Sequence, residues 1–416
     1  RFVLDDHGII KNNKITKAPV SWDNTVKIFT TPLRKGDFSD LENSLYRPVV
    51  KLLFNLEWNM FDGDPHRFHM MNVILFGICV IILWGILYEA LRKNALLAFA
   101  IALLFATHPI HTEVVANVKS ADEILSLLGI LLAMRCIQLY LKHSKQLYLI
   151  LAIPAFLMAS FSKESTVVAV ALFPLFIYFF TSASWKKNII LSSIMLLCTL
   201  FFLYCRHATL SKYPDKGTLS ALDNFMVLCT DPSYAGTSQF ASAVRTLGLY
   251  LMTFLYPHPL SCDYSYSSLI PVGFSDPGFI FSFLILAGLL GYAIFLFIPR
   301  KNSLVNKPAL SFSLLWFFIA MSITSNVFFL IGTSFGERLL FVPSVGLTMA
   351  LVLLMARFLQ KKSPEEQPLI PSLKASPVFT LLLFGITLLY SIKTWSRNAD
   401  WKSDFSLFSK DVESYP

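Results

Sequence analysis

Apolar runs close to the length of a bilayer crossing recur along the chain, at about 70–91, 95–109, 124–141, 147–162, 166–183, 188–205, 279–298, 308–331, 339–358 and 376–393. A helix rises 1.5 Å per residue, so roughly 20 apolar residues cross the hydrocarbon core. The pattern therefore predicts ten spanning helices and an all-α polytopic membrane protein. One more stretch, FASAVRTLGLYLMTFLY (240–256), is apolar but interrupted by Arg245. It is expected to be a re-entrant or interfacial element, with Arg245 directed toward headgroups.

The polar connectors alternate between two kinds. RKN (92–94), KHSK (142–145), WKK (185–187), PRKNSLVNK (299–307) and the 357–375 loop are basic. The bias of Lys and Arg toward the cytoplasm assigns them to that side. Segments 1–69, 108–123, 162–166, 206–278, 332–338 and 394–416 carry the acids and are expected to face outward. This alternation holds only if 240–256 does not cross, which places both visible ends outside. No Asp, Glu or Lys falls near the centre of a span, and Arg135 is expected to snorkel to the cytoplasmic edge.

Composition agrees with this picture. The 416 residues are 55% hydrophobic and only 15% charged, well under the quarter usual for soluble domains. The net charge of +9 comes from short connectors rather than a basic helix or stacking platform, so nucleic acid is not an expected partner. The six cysteines have no metal-type spacing. Cys79, Cys136 and Cys198 are expected to be packing residues, and Cys229 and Cys262 are a candidate pair in an oxidising compartment. The start at Arg1 implies an upstream segment, such as a further membrane helix.

The outer face gathers Asp5, Asp6, Glu113, Lys119, Asp122, Glu123, Lys163, Glu164, Asp263, Glu337 and Arg338. Carboxylates and cations beside lipid suit a substrate with a phosphate head and a greasy tail. Arg or Lys binds the phosphate, and a carboxylate takes the proton of an attacking hydroxyl. Each group also has a plainer role. Asp122 and Glu123 stand where carboxylates complement a helix dipole, Glu337 and Arg338 form an edge pair, and Asp5-Asp6 resembles a helix cap. His108, His111 and Glu113 have a metal-like spacing, but Pro109 breaks the helix that would align them, so no metal is expected.

Several stretches occur together in a familiar order: the first acidic pair, YRPVVKLLFNLEWNMFDGDPHRFHMMNVILF (46–76), ATHPIHTEVVANVKSADEILSLL (106–128), FSKES (161–165), LYPHPLSCDYSYSSLIP (255–271), FFLIGTSFGERLLFVPSVG (328–346) and RNADWKSDFSLF (397–408). They resemble the membrane half of the transmembrane and tetratricopeptide-repeat O-mannosyltransferases (TMTC-like) and their bacterial relatives, within the GT-C superfamily. The resemblance implies a GT-C-type helix bundle with outer-face loops. It implies three segments: a first outer loop with an acidic motif (1–69), a transmembrane core (70–393) and an outer-face linker (394–416) toward a repeat domain.

The resemblance also implies inverting transfer of a sugar, mannose above all, from a polyprenyl- or dolichyl-phosphate donor to Ser or Thr of a protein acceptor. It makes Asp5 or Asp6 the general base and Asp122-Glu123 the second acidic motif. Arg338, Lys163 and Lys119 are the expected donor-phosphate residues, supported by Glu337, Glu164, His111, Asp263 and Tyr264. No cofactor is expected. A bacterial cytoplasmic membrane with a periplasmic site is the expected location, and an ER membrane with a lumenal site is the alternative. The same chemistry on a glycan or lipid acceptor, a transporter or flippase, and a non-catalytic scaffold remain competing readings.

Overall fold

A computed structural model describes residues 1–37, 45–213, 219–262, 264, 269–298, 307–359 and 377–414. Among them there are helices and connecting turns and no strand. The protein is an all-α polytopic membrane protein. Among the described residues six helices are long and apolar enough to cross a membrane: Pro65–Ala90, Val118–His143, Trp185–Leu210, Pro277–Phe297, Glu337–Phe358 and Pro377–Asp400. A seventh crossing results if Ala95–Thr107 and Pro109–Ala116, broken at Pro109, count as one.

The other expected crossings are shorter helices. Gln146–Ser162 has 17 residues with Pro154 inside it. The 166–183 run folds as a 3₁₀ segment, Glu164–Ala171, followed by the nine-residue helix Leu172–Phe180. The 308–331 run is helical only over Lys307–Met321. Beyond it Asn326 takes a left-handed backbone, φ 59°. Its amide donates to the carbonyls of Thr333 and Ser334 and accepts from Ile331 N, which stabilises a local turn in place of helix. The basic connectors expected at 299–307 and 357–375 fall largely outside the described residues.

The chain divides into two compact units. The first comprises Arg1–Ile86, Thr112–Thr218 and Asn398–Leu407. Its centre is the antiparallel pair Ala121–His143 and Gln146–Ser162, against which Pro48–Phe61 and Trp185–Leu210 pack. Asp122 and Glu123 occupy the first turn of the 121–143 helix and Lys142 and His143 the last, each matching the helix dipole. Pro48 opens the 48–61 helix at a position where no backbone N–H is required. Arg135 donates to Gln138 Oε1 at 2.6 Å and to the Gly85 carbonyl at 3.4 Å. Both bonds come from Nη1 and stay within the unit.

The second unit comprises Leu87–His111, Leu219–Arg397 and Phe408–Pro416. Here Gln239–Leu255, Pro277–Phe297, Lys307–Met321 and Phe341–Phe358 pack in sequence. The 239–255 helix has 17 residues, short of a full crossing, as the interruption at Arg245 implies. Arg245 pairs with Asp276 at 3.9 Å and is one-third exposed. Close approach of the 307–321 and 341–358 helices needs Gly346, since a Cβ there would lie 2.3 Å from the Ser313 carbonyl.

Candidate functional site

In the first unit the amino-terminal turn is held from two directions. Asp404 accepts from Leu4 N at 2.8 Å and lies 3.2 Å from the His7 ring. Asp6 accepts from Val3 N at 3.1 Å through one oxygen and from Lys119 N at 2.7 Å through the other. Asp6 is fully buried, and burial pushes its carboxyl up to about 7. Both oxygens being engaged by backbone, Asp6 joins the first loop to the turn before the 121–143 helix.

Asp5, its neighbour, points the other way. Its side chain is 41% exposed and lies 2.5 Å from Arg34 Nη2 and 3.9 Å from Lys119 Nζ. The two acids of the opening motif therefore have different surroundings, one open and cationic, the other closed.

From Asp5 an alternating chain of charge runs inward. Lys119 lies 3.6 Å from Asp122, Asp122 is bonded by Arg47 Nη1, and Arg47 Nε reaches Glu164 Oε2 at 2.7 Å. The other oxygen of Glu164 accepts from Tyr46 N at 2.7 Å. Beside this chain Lys163 is hydrogen-bonded to Glu123 in a buried pair. Asp122, Glu123, Lys119, Lys163 and Glu164, all foreseen, are thus brought together with Asp5 and Asp6.

Two cations that complete the set were missed. Arg47 sits at the N-terminus of the 48–61 helix, only 8% exposed. Burial disfavours its charge, yet Glu164 and Asp122 hold the guanidinium charged beyond its ordinary range. The signal was present: acids at the ends of two apolar runs, Asp122 and Glu164, call for a cation, and Arg47 precedes a helix-initiating proline in the 46–76 stretch. Arg34 lies in the PLRKGD turn, which had no periodicity to mark it.

That turn is built rather than loose. Lys51, fully buried, donates through Nζ to the carbonyls of Pro32 at 3.2 Å and Lys35 at 2.7 Å, on either side of Arg34. Burial lowers the Lys51 ammonium to about 7. Asn13 Nδ2 donates to the Arg34 and Lys35 carbonyls. Gly36 closes the turn at φ 106°, and a Cβ there would come 2.8 Å from Asn13 Oδ1. Tyr46, Phe161 and Phe202 form an apolar wall behind the charges, with the Tyr46 hydroxyl on the Phe29 carbonyl at 2.8 Å.

The second unit contains the other foreseen residues. Glu337 is 1% exposed and its Oε1 accepts from Ser261 N at 2.8 Å and from the Tyr264 hydroxyl at 2.7 Å. It is a buried anchor for the 261–264 loop, not an edge partner at the surface. Tyr264 and Tyr250 both contact the Phe335 ring, and Tyr250 Oη accepts from Gly336 N at 3.1 Å. Arg338 follows in the same 3₁₀ turn and is half-buried. His111 Nε2 lies 2.9 Å from Ser344 Oγ, and His108 Nε2 lies 3.0 Å from the Phe254 carbonyl. Asp263 lies outside the described residues. The candidate pair Cys229 and Cys262 is not joined by a disulfide, and Cys262 Sγ donates to Asp411 at 2.7 Å.

The chain is 24% identical over 431 residues to a protein O-mannosyl-transferase of Caenorhabditis elegans, F38B6.6, covering 100% of this chain and 55% of the worm protein. It is 25% identical over 458 residues to mouse TMTC3, covering 98% of this chain and 44% of that protein. To human TMTC1 it is 38% identical over 135 residues, 32% of this chain and 15% of the human one.

Along nearly its whole length the chain is similar to TMTC O-mannosyl-transferases.

It spans about half the length of the curated TMTC relatives it matches along its whole extent. No family model and no solved structure matches it. The TMTC-like similarity covers both the segments that carry the charge chain and those that carry the Glu337-Arg338 turn.

Proposed function

We propose that this chain is the membrane-embedded part of a GT-C-type glycosyltransferase. It transfers a sugar from a polyprenyl- or dolichyl-phosphate carrier to a Ser or Thr hydroxyl of a protein, with inversion, on the non-cytoplasmic side. Mannose is the sugar in the names of the relatives, protein O-mannosyl-transferases, and is adopted here. The observation that carries the reading is the division between the two opening acids: Asp5 is accessible and flanked by Arg34 and Lys119, whereas Asp6 is enclosed.

Asp5 is then the general base. The acceptor oxygen attacks the anomeric carbon, the bond from that carbon to the phosphate oxygen breaks, and the carrier leaves as lipid phosphate with the electron pair. Asp5 takes the hydroxyl proton. A single displacement inverts the anomeric centre. Arg34 and Lys119 orient the carboxylate and place positive charge where a phosphate gathers negative charge. Asp6 positions the loop, and Arg47, Asp122, Glu164, Glu123 and Lys163 set the cationic side chains in register. Arg338, in the second unit, is a separate candidate for donor binding: Arg338→Ala should weaken donor binding and leave acceptor binding unchanged.

The test is release of lipid phosphate from polyprenyl-phosphate mannose by the purified chain with a protein acceptor. Asp5→Asn should lower kcat by about 10²–10⁴, the worth of a positioned base, without lowering the unfolding midpoint. Asp6→Asn should lower that midpoint, since one of two backbone donors loses its acceptor, at a cost of about 1–3 kcal/mol. Full turnover in Asp5→Asn would remove Asp5 from the mechanism, and no consumption of any carrier-linked sugar would end the transferase reading.

A further inference from the structure

The first unit carries a groove at the opposite end of its helices from the charge chain. The 121–143 helix starts at Asp122 and Glu123 and ends at Lys142 and His143; the 146–162 helix returns to Lys163, and the 164–180 segments run back to Phe180. At that far end the Trp185–Leu210 helix begins, tied to its neighbour by Lys187 Nζ over the Tyr140 ring at 5.1 Å. A groove of about 660 Å³ lies between the 170–178 segment and this helix, walled by Pro174, Tyr178, Ile189 and Leu196.

Two of its polar side chains, Asn188 and Ser192, are already bonded within the protein. Asn188 Nδ2 donates to the Pro174 carbonyl at 3.0 Å, and Asn188 Oδ1 accepts from Ser192 Oγ at 3.1 Å. What fits is an apolar chain. From Trp185 to Leu196 the helix climbs roughly 16 Å, the depth of one leaflet of hydrocarbon. The mouth is cationic and aromatic: Lys186 Nζ lies 5.8 Å from the Trp185 ring centre, next to Lys187. Between Glu123 and Asp215 the sequence contains a single carboxylate, Glu164, which sits at the other end of the unit. Positive charge at the mouth thus has no acid beside it in these segments.

We propose that this groove binds one anionic diacyl phospholipid. Its phosphate lies at Trp185, Lys186 and Lys187, and an acyl chain follows the helix past Ile189 to Leu196. The site goes beyond the transferase reading and does not depend on it. Its position at the end away from Asp5 and Asp122 separates it from any sugar carrier engaged there. Charge at the mouth sets the headgroup class, and the satisfied floor sets the chain.

The experiment is native mass spectrometry of the purified full chain with equal phosphatidylglycerol and phosphatidylcholine. One phosphatidylglycerol should be retained with a preference of roughly thirty-fold, the worth of two surface lysines. The pair Lys186→Ala and Lys187→Ala should abolish the preference, and Ser192→Phe should reduce retention by filling the floor. In the unaltered protein, brominated-chain phosphatidylglycerol should quench a fluorescence component that is absent in Trp185→Phe. Equal retention of the two lipids, an unchanged preference in the lysine variant, or displacement of phosphatidylglycerol by equimolar polyprenyl phosphate would each overturn the assignment.

Discussion

Replacing Arg47 with Met removes the only cation in direct bonding contact with both Asp122 and Glu164 among the described residues. Asp122 is almost wholly enclosed, with 2% of its side chain exposed, and Glu164 retains 20%. Removing one partner of a buried pair leaves the other's charge uncompensated, at about 3–5 kcal/mol. Two observations place this case near the lower end. Asp122 keeps Lys119 at 3.6 Å, and Glu164 keeps the backbone N–H of Tyr46 together with some water. A loss of about 3 kcal/mol, at about 2–4 °C per kcal/mol for a domain of this size, lowers the unfolding midpoint by roughly 6–12 °C. Cys79 and Cys198 are buried free thiols in the same unit, so a thiol-reactive dye reports the transition in detergent. The triple variant Arg47→Met, Asp122→Asn, Glu164→Gln should recover most of the loss, because neutral groups no longer need the guanidinium. A midpoint within about 1 °C of the parent for Arg47→Met, or a triple variant less stable than the single one, would refute the account.

Other consequences can be measured in the same way. Glu57 is buried on the 48–61 helix, and burial raises its carboxyl from 4.5 to about 8. An acid with a raised folded value stabilises fully below its unfolded value and loses that contribution as pH rises through the folded one. Between pH 5 and 9 the parent should therefore lose stability, and Glu57→Gln should flatten the slope; parallel slopes would refute this. Lys51→Met frees the turn that presents Arg34, so turnover should fall about ten-fold or more while helix content by circular dichroism is kept, with partial rescue by Lys51→Arg. Gly346→Ala inserts a methyl against the Ser313 carbonyl and should cost about 1–3 kcal/mol in the second unit.

Helical class and membrane residence were legible because hydrophobicity is a local property. A run such as ILFGICVIILWGIL in 65–90 declares its length and its solvent without reference to anything else. Crossing length was less legible where polar side chains compete for the backbone. The 308–331 run contains Thr324, Ser325 and Asn326 among apolar residues, and only the tertiary bonds of Asn326 show that the helix stops at Met321. The acids and lysines of the candidate site were also legible, since charged residues at the ends of apolar runs stand out by cost alone.

What the linear order left undecided is how adjacent charges divide their work. Asp5 and Asp6 are chemically the same and neighbours in sequence. Their difference comes in part from one residue more than a hundred positions away, Lys119, whose N–H closes Asp6 and whose ammonium, with the guanidinium of Arg34 nearer in sequence, faces Asp5. Glu337 reads as a surface acid until Ser261 and Tyr264 are seen to enclose it. The sequence alone settled the solvent, the helices and the supply of charge, because these follow from transfer free energies summed over neighbours. The tertiary structure decided which charges are open and which are paired, because burial and ion pairing depend on distances in space that chain separation does not encode.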